Sequence, residues 1–357
     1  MLLIIFLHSV FAVSAQEEEY RFNVGARNHF GFFLTNSQSL DYVTHQHLRM
    51  YEVFVEKKTS GSRQWHHTYD FPTIGLSFLI TDYDTKKHLG SAYSLIPYMK
   101  FSLAKGSLLN LDFHAGAGLA YLTKRFDAEN NRKNVAIGSK LNMSFSFLLE
   151  ADWKLLKNLS LTTGIGLTHF SNTSFQKPNQ GLNIPSAEIG LEYGFGENKR
   201  IKTEEKTIEN QQWQLSAHAA VAVNEIYPAN GEKYLAKALN VAVDKRTNAK
   251  SRIGASVDLF YNPANIAILK NDSTPLSRKA ENLQIGLAVQ HTLMFGKFGL
   301  HTAAGYYLST AYKEGGMLYQ KVGGKYWISQ HLVANLLLKT HFASAEYLEM
   351  GFGYYFF

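Results

Sequence analysis

Apolar and polar residues alternate with a period of two along much of the chain, which is the pattern of β-strands with two different faces. In 141–153 one face carries leucine, methionine, phenylalanine and tryptophan, and the other carries asparagine, serine, glutamate and aspartate. In 108–119 and 186–196 the polar face is rich in glycine. Small residues, amides and isolated charges suit the interior of a narrow barrel. The alternation therefore predicts an all-β protein whose apolar and aromatic side chains face lipid.

The spacing of these segments predicts an antiparallel transmembrane β-barrel with short turns at one end and long loops at the other. Eight strands are expected before residue 196, near 20–33, 46–56, 73–82, 92–103, 108–122, 138–153, 159–171 and 186–196. An amino terminus in the periplasm makes 104–107 and 155–158 short periplasmic turns. The predicted extracellular loops are 34–45, 123–137 and 172–185. The segment 57–72 departs from this asymmetry because it is long and lies at the short-turn end.

The second half of the chain repeats the first half in the same order. Four pairs of segments are similar, namely 53–64 with 241–252, 113–126 with 300–313, 167–170 with 339–342 and 187–196 with 345–356. A charged segment without strand pattern, 197–211, separates the halves and reads as a linker. Together with the small inward residues, it favours two tandem eight-stranded barrels, in 16–196 and 212–357. The alternative is one sixteen-stranded barrel.

The first fifteen residues, MLLIIFLHSVFAVSA, form an apolar run that ends on small residues. This pattern predicts a secretory signal peptide over 1–15 that is cleaved after Ala15, and the run is too short to be a comfortable membrane anchor. No later stretch has eighteen consecutive apolar residues. The sequence therefore predicts a bacterial outer-membrane protein that crosses the membrane with strands.

The net charge and the composition limit the classes of partner and cofactor that the protein is expected to bind. The formal net charge of +7 favours anionic partners, and for a secreted barrel these are membrane lipids rather than nucleic acid. The chain has no cysteine, which excludes disulfides and thiolate metal sites. The paired histidines His66 and His67, and also His45 and His47, have no carboxylate at a persuasive spacing and are interpreted as loop residues. No metal and no other cofactor is expected.

The seventh predicted strand carries a histidine and a serine on its apolar face. His169 and Ser171 share the phase of Leu167, which places them on the outer wall near the extracellular rim. A serine hydroxyl is a weak nucleophile until a base accepts its proton, and a neighbouring histidine is the usual base. The alternative interpretation is an interfacial histidine with a serine that caps the loop. The spacing of these two residues alone favours this second interpretation.

The longer stretch HFSNTSFQKPNQGLN, 169–183, resembles the signature of the lipid A 3-O-deacylase (PagL-type) family, also described as acyloxyacyl hydrolases. That pattern is approximately H-x-S-N-x5-P-N-x-G-x-E/N. The fixed positions that match are His169, Ser171, Asn172, Pro178, Asn179 and Gly181. The resemblance covers roughly 20–196, although only 169–183 is specific. It implies an eight-stranded outer-membrane barrel with an active site on its outer wall.

The resemblance also implies a role for each residue. Ser171 is the nucleophile, His169 the general base, Asn172 a contributor to the oxyanion hole, and Asn179 a residue that orders the loop. The position of the family's acid, fourteen residues after the histidine, is Asn183. An amide can orient an imidazole but cannot stabilise the imidazolium by charge. The implied reaction is hydrolysis of an ester-linked acyl chain of lipid A, with release of a 3-hydroxy fatty acid.

Several neighbouring residues qualify this assignment. Glu188 is the nearest other carboxylate, but its phase points inward, and Thr173-Ser174 replaces the small Ala-Gly of the prototype. In the second half, His341 corresponds to His169 while Ala343 replaces the serine, so that half is expected to be a scaffold. The predicted outer loop carries four cations that suit lipid A phosphates or are simply solvated: Lys124, Arg125, Arg132 and Lys133. The alternative function is a non-catalytic barrel, porin-like or structural.

Overall fold

The computed structural model describes 20–35, 38–41, 44, 47–83, 85–197, 199–201, 212–271, 283–313, 315–342 and 344–356. The predicted signal peptide, most of the predicted linker, His45 and Ala343 lie outside these residues. The chain divides into two compact units. The first comprises Met1–Asn172 and Pro178–Glu204, and the second comprises Thr173–Lys177 and Glu205–Phe357. The domain limits expected from the sequence stay predictions.

The first unit contains a closed antiparallel barrel in which each strand pairs with its neighbours in sequence and the last strand pairs with the first. Its strands are β1 Tyr20–Gly31, β2 Leu48–Lys58, β3 Thr73–Asp82, β4 Ser91–Ala104, β5 Leu109–Leu122, β6 Leu141–Leu156, β7 Leu159–Ser171 and β8 Leu182–Glu197. Two short helices, α1 Gln38–Asp41 and α2 Gln64–Thr68, lie in the connections that follow β1 and β2. The segment that departed from the expected loop asymmetry thus contains a helical turn.

The second unit contains another closed antiparallel barrel of eight strands. These strands are β9 Trp213–Glu225, β10 Lys233–Arg246, β11 Ser251–Tyr261, β12 Leu283–Phe295, β13 Phe298–Ser309, β14 Leu318–Trp327, β15 Leu332–His341 and β16 Ser344–Tyr355. Helix α3, Pro263–Asn271, follows β11. The prediction of two tandem eight-stranded barrels is confirmed, and the sixteen-stranded alternative is not needed.

Burial follows the sequence alternation strand by strand. In β2 every second residue is buried and the residues between them are exposed. The exposed faces carry large apolar side chains such as Val53, Leu95 and Phe147. An apolar outward face with a polar inward face is the arrangement of a barrel in lipid. None of the described helices is long and apolar enough to cross a membrane.

Charged residues fill the interior of the first barrel. Lys100 Nζ lies 3.3 Å from a carboxylate oxygen of Glu56, 3.0 Å from one of Glu150 and 3.2 Å from one of Glu192. Arg27 Nη2 lies 2.5 Å from Glu150 Oε2, and both side chains are fully buried. Buried charges of this kind are tolerated because each faces a partner of opposite sign. The network fills the space that a water-filled pore would need.

A hydrophobic cluster lies at the long-loop end of the same barrel. It includes Met50, Ile137, Phe170 and Ile184, each of which is at most 1% exposed. Burial of one such side chain contributes about 1.5–3 kcal/mol. Because Phe170 points inward at the end of β7, its neighbours His169 and Ser171 are turned to the other face of the strand.

Two boundaries predicted from the sequence are wrong, and the first of them matters for the site. The segment 172–185 was expected to be a loop, but β8 begins at Leu182 because its first residues continue the ladder with β7. The turn expected at 155–158 is shorter, since β6 extends to Leu156 and β7 starts at Leu159. Asn183 is therefore a strand residue rather than a loop residue.

Candidate active site on the outer wall of the first barrel

The register between β7 and β8 places His169 directly opposite Asn183. His169 Nδ1 lies 2.7 Å from Asn183 Oδ1. A carbonyl oxygen can only accept, so the ring donates its Nδ1–H and the lone pair of the imidazole is left on Nε2. Among the described residues, His169 Nε2 has no hydrogen-bond partner. This is the tautomer that a general base requires.

The phase of β7 turns these residues to the outside. Ile165 and Leu167 share the phase of His169 and are exposed, whereas Thr168 and Phe170 on the other phase are buried. The imidazole lies beside Phe145 of β6, with 6.1 Å between the ring centroids. His169 is therefore on the apolar outer wall, near the end of the strand.

Ser171 ends β7 on the same face as His169 and opposite Met143. It is 7% exposed, so its hydroxyl is partly shielded from water. Residues two apart on a strand are about 6.5–7 Å apart along the chain. Among hydrogen bonds between described residues, none joins Ser171 Oγ to His169. Catalytic hydrogen bonds are often long in unliganded enzymes and shorten when substrate binds.

The loop that follows is held by Asn172 and Asn179. The backbone N–H of Asn172 donates to Asn179 Oδ1 at 2.9 Å. The side-chain amide of Asn172 donates to Ser139 Oγ at 3.0 Å. The backbone N–H of Asn172 is thus engaged within the loop, and its side-chain amide is held by Ser139.

Ser139 belongs to the site, and sequence reasoning missed it. Its hydroxyl lies 2.9 Å from Asn142 Oδ1, and Asn142 Nδ2 donates to the carbonyl of Ser139 at 2.9 Å. The segment 136–139 also contacts the loop between β7 and β8, because the N–H groups of Gln180 and Gly181 both donate to the carbonyl of Ala136. No motif in the sequence marks Ser139, since its contact with Asn172 is 33 residues distant along the chain.

Gly181 has a positive φ of +74°, a conformation that favours glycine. A Cβ at this position would lie 2.9 Å from His169 Cε1, which is closer than real Cβ atoms approach. The glycine of the motif therefore leaves the space that the imidazole occupies. The non-glycine residues Thr173 and Ser174 also have positive φ, +55° and +66°, and are buried. Such conformations cost about 1–3 kcal/mol each and occur often at functional sites.

The four cations of the predicted outer loop lie between β5 and β6 and are exposed: Lys124, Arg125, Arg132 and Lys133. The same connection contains Ala136 and Ser139, which contact the site. Within it Asp127 Oδ1 accepts hydrogen bonds from the N–H groups of Asn130 and Glu129, which lower the pKa of that carboxyl. The basic residues are therefore on a loop that is joined to the site through its last turn.

His66, His67 and Glu188, which the sequence analysis also considered, contact other residues of the first barrel. His66 Nδ1 accepts from the N–H of Gly61, and His67 Nε2 lies 2.8 Å from its carbonyl oxygen. These two histidines hold a turn. Glu188 is buried inside the barrel, where Thr162 donates to it at 3.4 Å. Its inward phase is confirmed, and it lies on the opposite face of β8 from Asn183.

Two family models match the chain. Residues 49–192 match lipid A 3-O-deacylase (PagL), and residues 212–357 match the acyloxyacyl hydrolase C-terminal domain. No curated protein matches the sequence. The fold and the two matches define an outer-membrane β-barrel protein of a hydrolase class. The first barrel is thus similar to the lipid A 3-O-deacylase (PagL) family, and the second is similar to the acyloxyacyl hydrolase C-terminal domains.

Solved structures that match the chain include Neisserial surface protein A, with 12% identity over 49% of this chain and 97% of that chain and a TM-score of 0.34. The outer-membrane enzyme PagL has 15% identity over 46% of this chain and 97% of that chain, with a TM-score of 0.32. Omp33 of Acinetobacter baumannii has 9% identity over 96% of this chain and 99% of that chain, with a TM-score of 0.18. Similarity at this level carries no information about function.

Proposed function

We propose that the protein is a serine esterase that removes an ester-linked acyl chain from lipid A, at the 3-O position, and releases a 3-hydroxy fatty acid. The observation that carries the proposal is the hydrogen bond between His169 and Asn183 on the outer wall, with Ser171 on the same face. An acyl chain in the outer leaflet lies against this wall. The partners are then lipid A or lipopolysaccharide and the surrounding membrane lipids, and neither metal nor cofactor takes part in the proposed steps.

In the proposed mechanism Ser171 Oγ attacks the acyl carbonyl carbon while His169 Nε2 accepts the hydroxyl proton. The tetrahedral intermediate collapses, and the protonated imidazole donates that proton to the departing sugar hydroxyl. Water then attacks the acyl-enzyme with the same histidine as base, which frees the fatty acid and restores Ser171. Asn183 holds the imidazole by its Nδ1–H throughout, a role that amides have in Cys-His-Asn sites.

Stabilisation of the oxyanion is assigned to the side-chain amide of Asn172. Its hydrogen bond to Ser139 fixes the orientation of the amide before substrate arrives, and preorganised donors are the most effective ones. Asn179 supports this position through the backbone of Asn172. The exposed cations between β5 and β6 are assigned to the lipid A phosphates, because lysine and arginine suit that ligand. They are Lys124, Arg125, Arg132 and Lys133.

The interior of the first barrel supports an enzyme over a porin-like channel. Lys100, Arg27 and their carboxylate partners occupy the middle of the barrel, and the hydrophobic cluster around Phe170 occupies its long-loop end. Ion conduction would require both to open. A structural barrel with no activity would not require an outward histidine in the tautomer of a base.

Mass spectrometry of lipid A from cells that express wild type, Ser171→Ala or Ser160→Ala tests the proposal. We expect loss of one acyl chain with wild type and with Ser160→Ala, which changes a serine at the far end of β7, and intact lipid A with Ser171→Ala. Heat-dependent mobility in SDS gels verifies that each barrel has folded. The same loss of acyl chains with Ser171→Ala as with wild type would exclude Ser171 as the nucleophile.

A further inference from the structure

A cavity of about 650 Å³ lies at the long-loop end of the second barrel. Its lining includes Asn224, Glu225, Tyr227, Asn265, His341 and Glu346. Ser174 and Lys177, which are part of the second unit, also line it. The volume is within the range of about 300–1,000 Å³ that small-molecule sites have in proteins.

Three lining side chains are almost fully buried yet incompletely bonded. Asn224 is 6% exposed, Glu225 is 2% and Asn265 is 4%. Asn224 Oδ1, Glu225 Oε2 and Asn265 Nδ2 have no hydrogen-bond partner within the described part of the chain. An unsatisfied buried polar atom costs about 1–3 kcal/mol, and native proteins contain few of them. Two acceptors and one donor at one cavity indicate a ligand that supplies both donors and acceptors.

Another part of the cavity lining, around Glu346, is held by contacts within the protein. His341 Nε2 lies 3.0 Å from Glu346 Oε2, and Lys339 Nζ lies 2.7 Å from the same atom. Asn262 Nδ2 donates to Glu346 Oε1 at 2.9 Å. These contacts hold the Glu346 carboxylate in place. A preorganised polar wall of this kind orients a ligand at little entropic cost.

Tyrosine rings complete the lining. Tyr227 is 56% exposed, and Tyr312 lines the same cavity. Aromatic rings offer a flat apolar surface next to the polar groups. The two carboxylates, Glu225 and Glu346, outnumber the one lysine of the lining, Lys177, and disfavour a phosphate or another anion. No group of three histidine, cysteine or acidic residues within the described ranges is arranged for a metal ion.

We propose that this cavity binds a carbohydrate of mono- to disaccharide size. Each sugar hydroxyl both donates and accepts, so one ring can satisfy Asn224, Glu225 and Asn265 together. The apolar face of the ring packs against Tyr227. The sugar comes either from free saccharide or from the glycan of lipopolysaccharide, and both have this chemistry. This proposal does not rest on the proposed esterase function.

Saturation-transfer NMR and calorimetry on the full chain in detergent micelles test the proposal. The probes are lactose, N,N′-diacetylchitobiose and the core oligosaccharide released from lipopolysaccharide by mild acid. We expect saturation transfer from the wild-type protein to ring protons of at least one probe. Binding of the core oligosaccharide alone assigns the site to lipopolysaccharide glycan, and binding of a simple disaccharide assigns it to free sugars. No transfer to any of the three probes overturns the proposal.

Glu225→Gln is the sharpest variant. It keeps the oxygen that accepts from the N–H of Asn230 at 2.6 Å and removes the charge and one acceptor. We expect affinity to fall about tenfold, the scale of one charged hydrogen bond. The control is Glu232→Gln, an exposed carboxylate on the same connection that is bonded to Tyr234. If Glu225→Gln does not fold, Tyr227→Ala replaces it, since that ring is exposed. Unchanged affinity in the folded variant overturns the proposal.

Discussion

The seventh strand of each barrel places a histidine near its end, and the two histidines have different surroundings. His169 donates to Asn183 through Nδ1 and has no partner at Nε2 among the described residues. His341 has both ring nitrogens engaged, with the carbonyl of Leu318 at 2.9 Å and with Glu346 at 3.0 Å. A histidine acts as a base only with a free lone pair that faces a nucleophile. The two histidines thus differ in whether Nε2 is engaged by another described residue.

The residue two positions after each histidine also differs. Ser171 follows His169 by two residues, and the corresponding residue of the second half is Ala343, which lies outside the described residues. The first barrel thus combines a serine with a neutral amide partner, while the second combines a carboxylate partner with no serine at that position. If this difference separates an esterase from a scaffold, substitutions at the first site should lower deacylation, and the matching substitution in the second barrel should not.

The largest effect is expected from His169→Ala. Removal of the base should lower deacylation about 10⁴-fold, the upper range of general acid–base catalysis. The double variant with Ser171→Ala should be no slower than either single variant, because the two groups act as one unit. Purified enzyme with lipid A substrate in micelles gives the rates. His341→Ala is the matched control from the second barrel and should leave the rate within about twofold of wild type. Equal rates for His169→Ala and wild type would contradict the comparison.

Asn183 is expected to have the next largest effect. Asn183→Ala removes the acceptor that holds the Nδ1–H of His169, so the imidazole loses its orientation and the rate should fall about 10²-fold. Asn183→Glu introduces the carboxylate that His341 already has in Glu346. Charge then stabilises the imidazolium, and we expect the rate to rise about tenfold. Steady-state kinetics at several pH values measures both variants. A rate that is lower for glutamate than for alanine would refute a purely electrostatic difference between the partners.

Gly181→Ala should lower the rate less than the Asn183→Ala substitution, because it displaces the His169 ring without removing a hydrogen-bond partner. The new methyl group would lie 2.9 Å from His169 Cε1 and would be strained at φ +74°. We expect about a tenfold lower kcat and about 1 kcal/mol lower stability. Thermal unfolding and kcat are measured on the same preparation. Gly196→Ala is the control, since it has a similar φ of +71° but its nearest atom is 3.7 Å away. A loss of kcat in both variants would show that backbone strain, and not contact with the histidine, is responsible.

The sequence predicted the barrels because period-2 alternation is a local property of each strand, and closure follows when the last strand pairs with the first. It also predicted the outward phase of His169 and the inward phase of Glu188, which depend on parity alone. The predicted start of β8 was wrong, because Asn183 joins the sheet through pairing with His169 of β7 and a bridge to Leu34, contacts that are distant in the sequence. Ser139 was missed for a related reason. Its contact with Asn172 joins two loops that are distant in the sequence, and a local sequence pattern cannot predict such a contact.

The smallest effect is expected from Ser139→Ala, which sharpens the assignment of Asn172. Ser139 accepts from the side-chain amide of Asn172 and contacts Asn142, so its loss frees the amide without removing it. We expect kcat to fall about fivefold with KM unchanged, because a donor that acts in the transition state is misplaced while ground-state binding is not. Ser139→Thr retains the hydroxyl and should recover most of the activity. Asn172→Ala combined with Ser139→Ala should be no slower than Asn172→Ala alone. If the two losses instead multiply, Ser139 acts on the loop and not through Asn172.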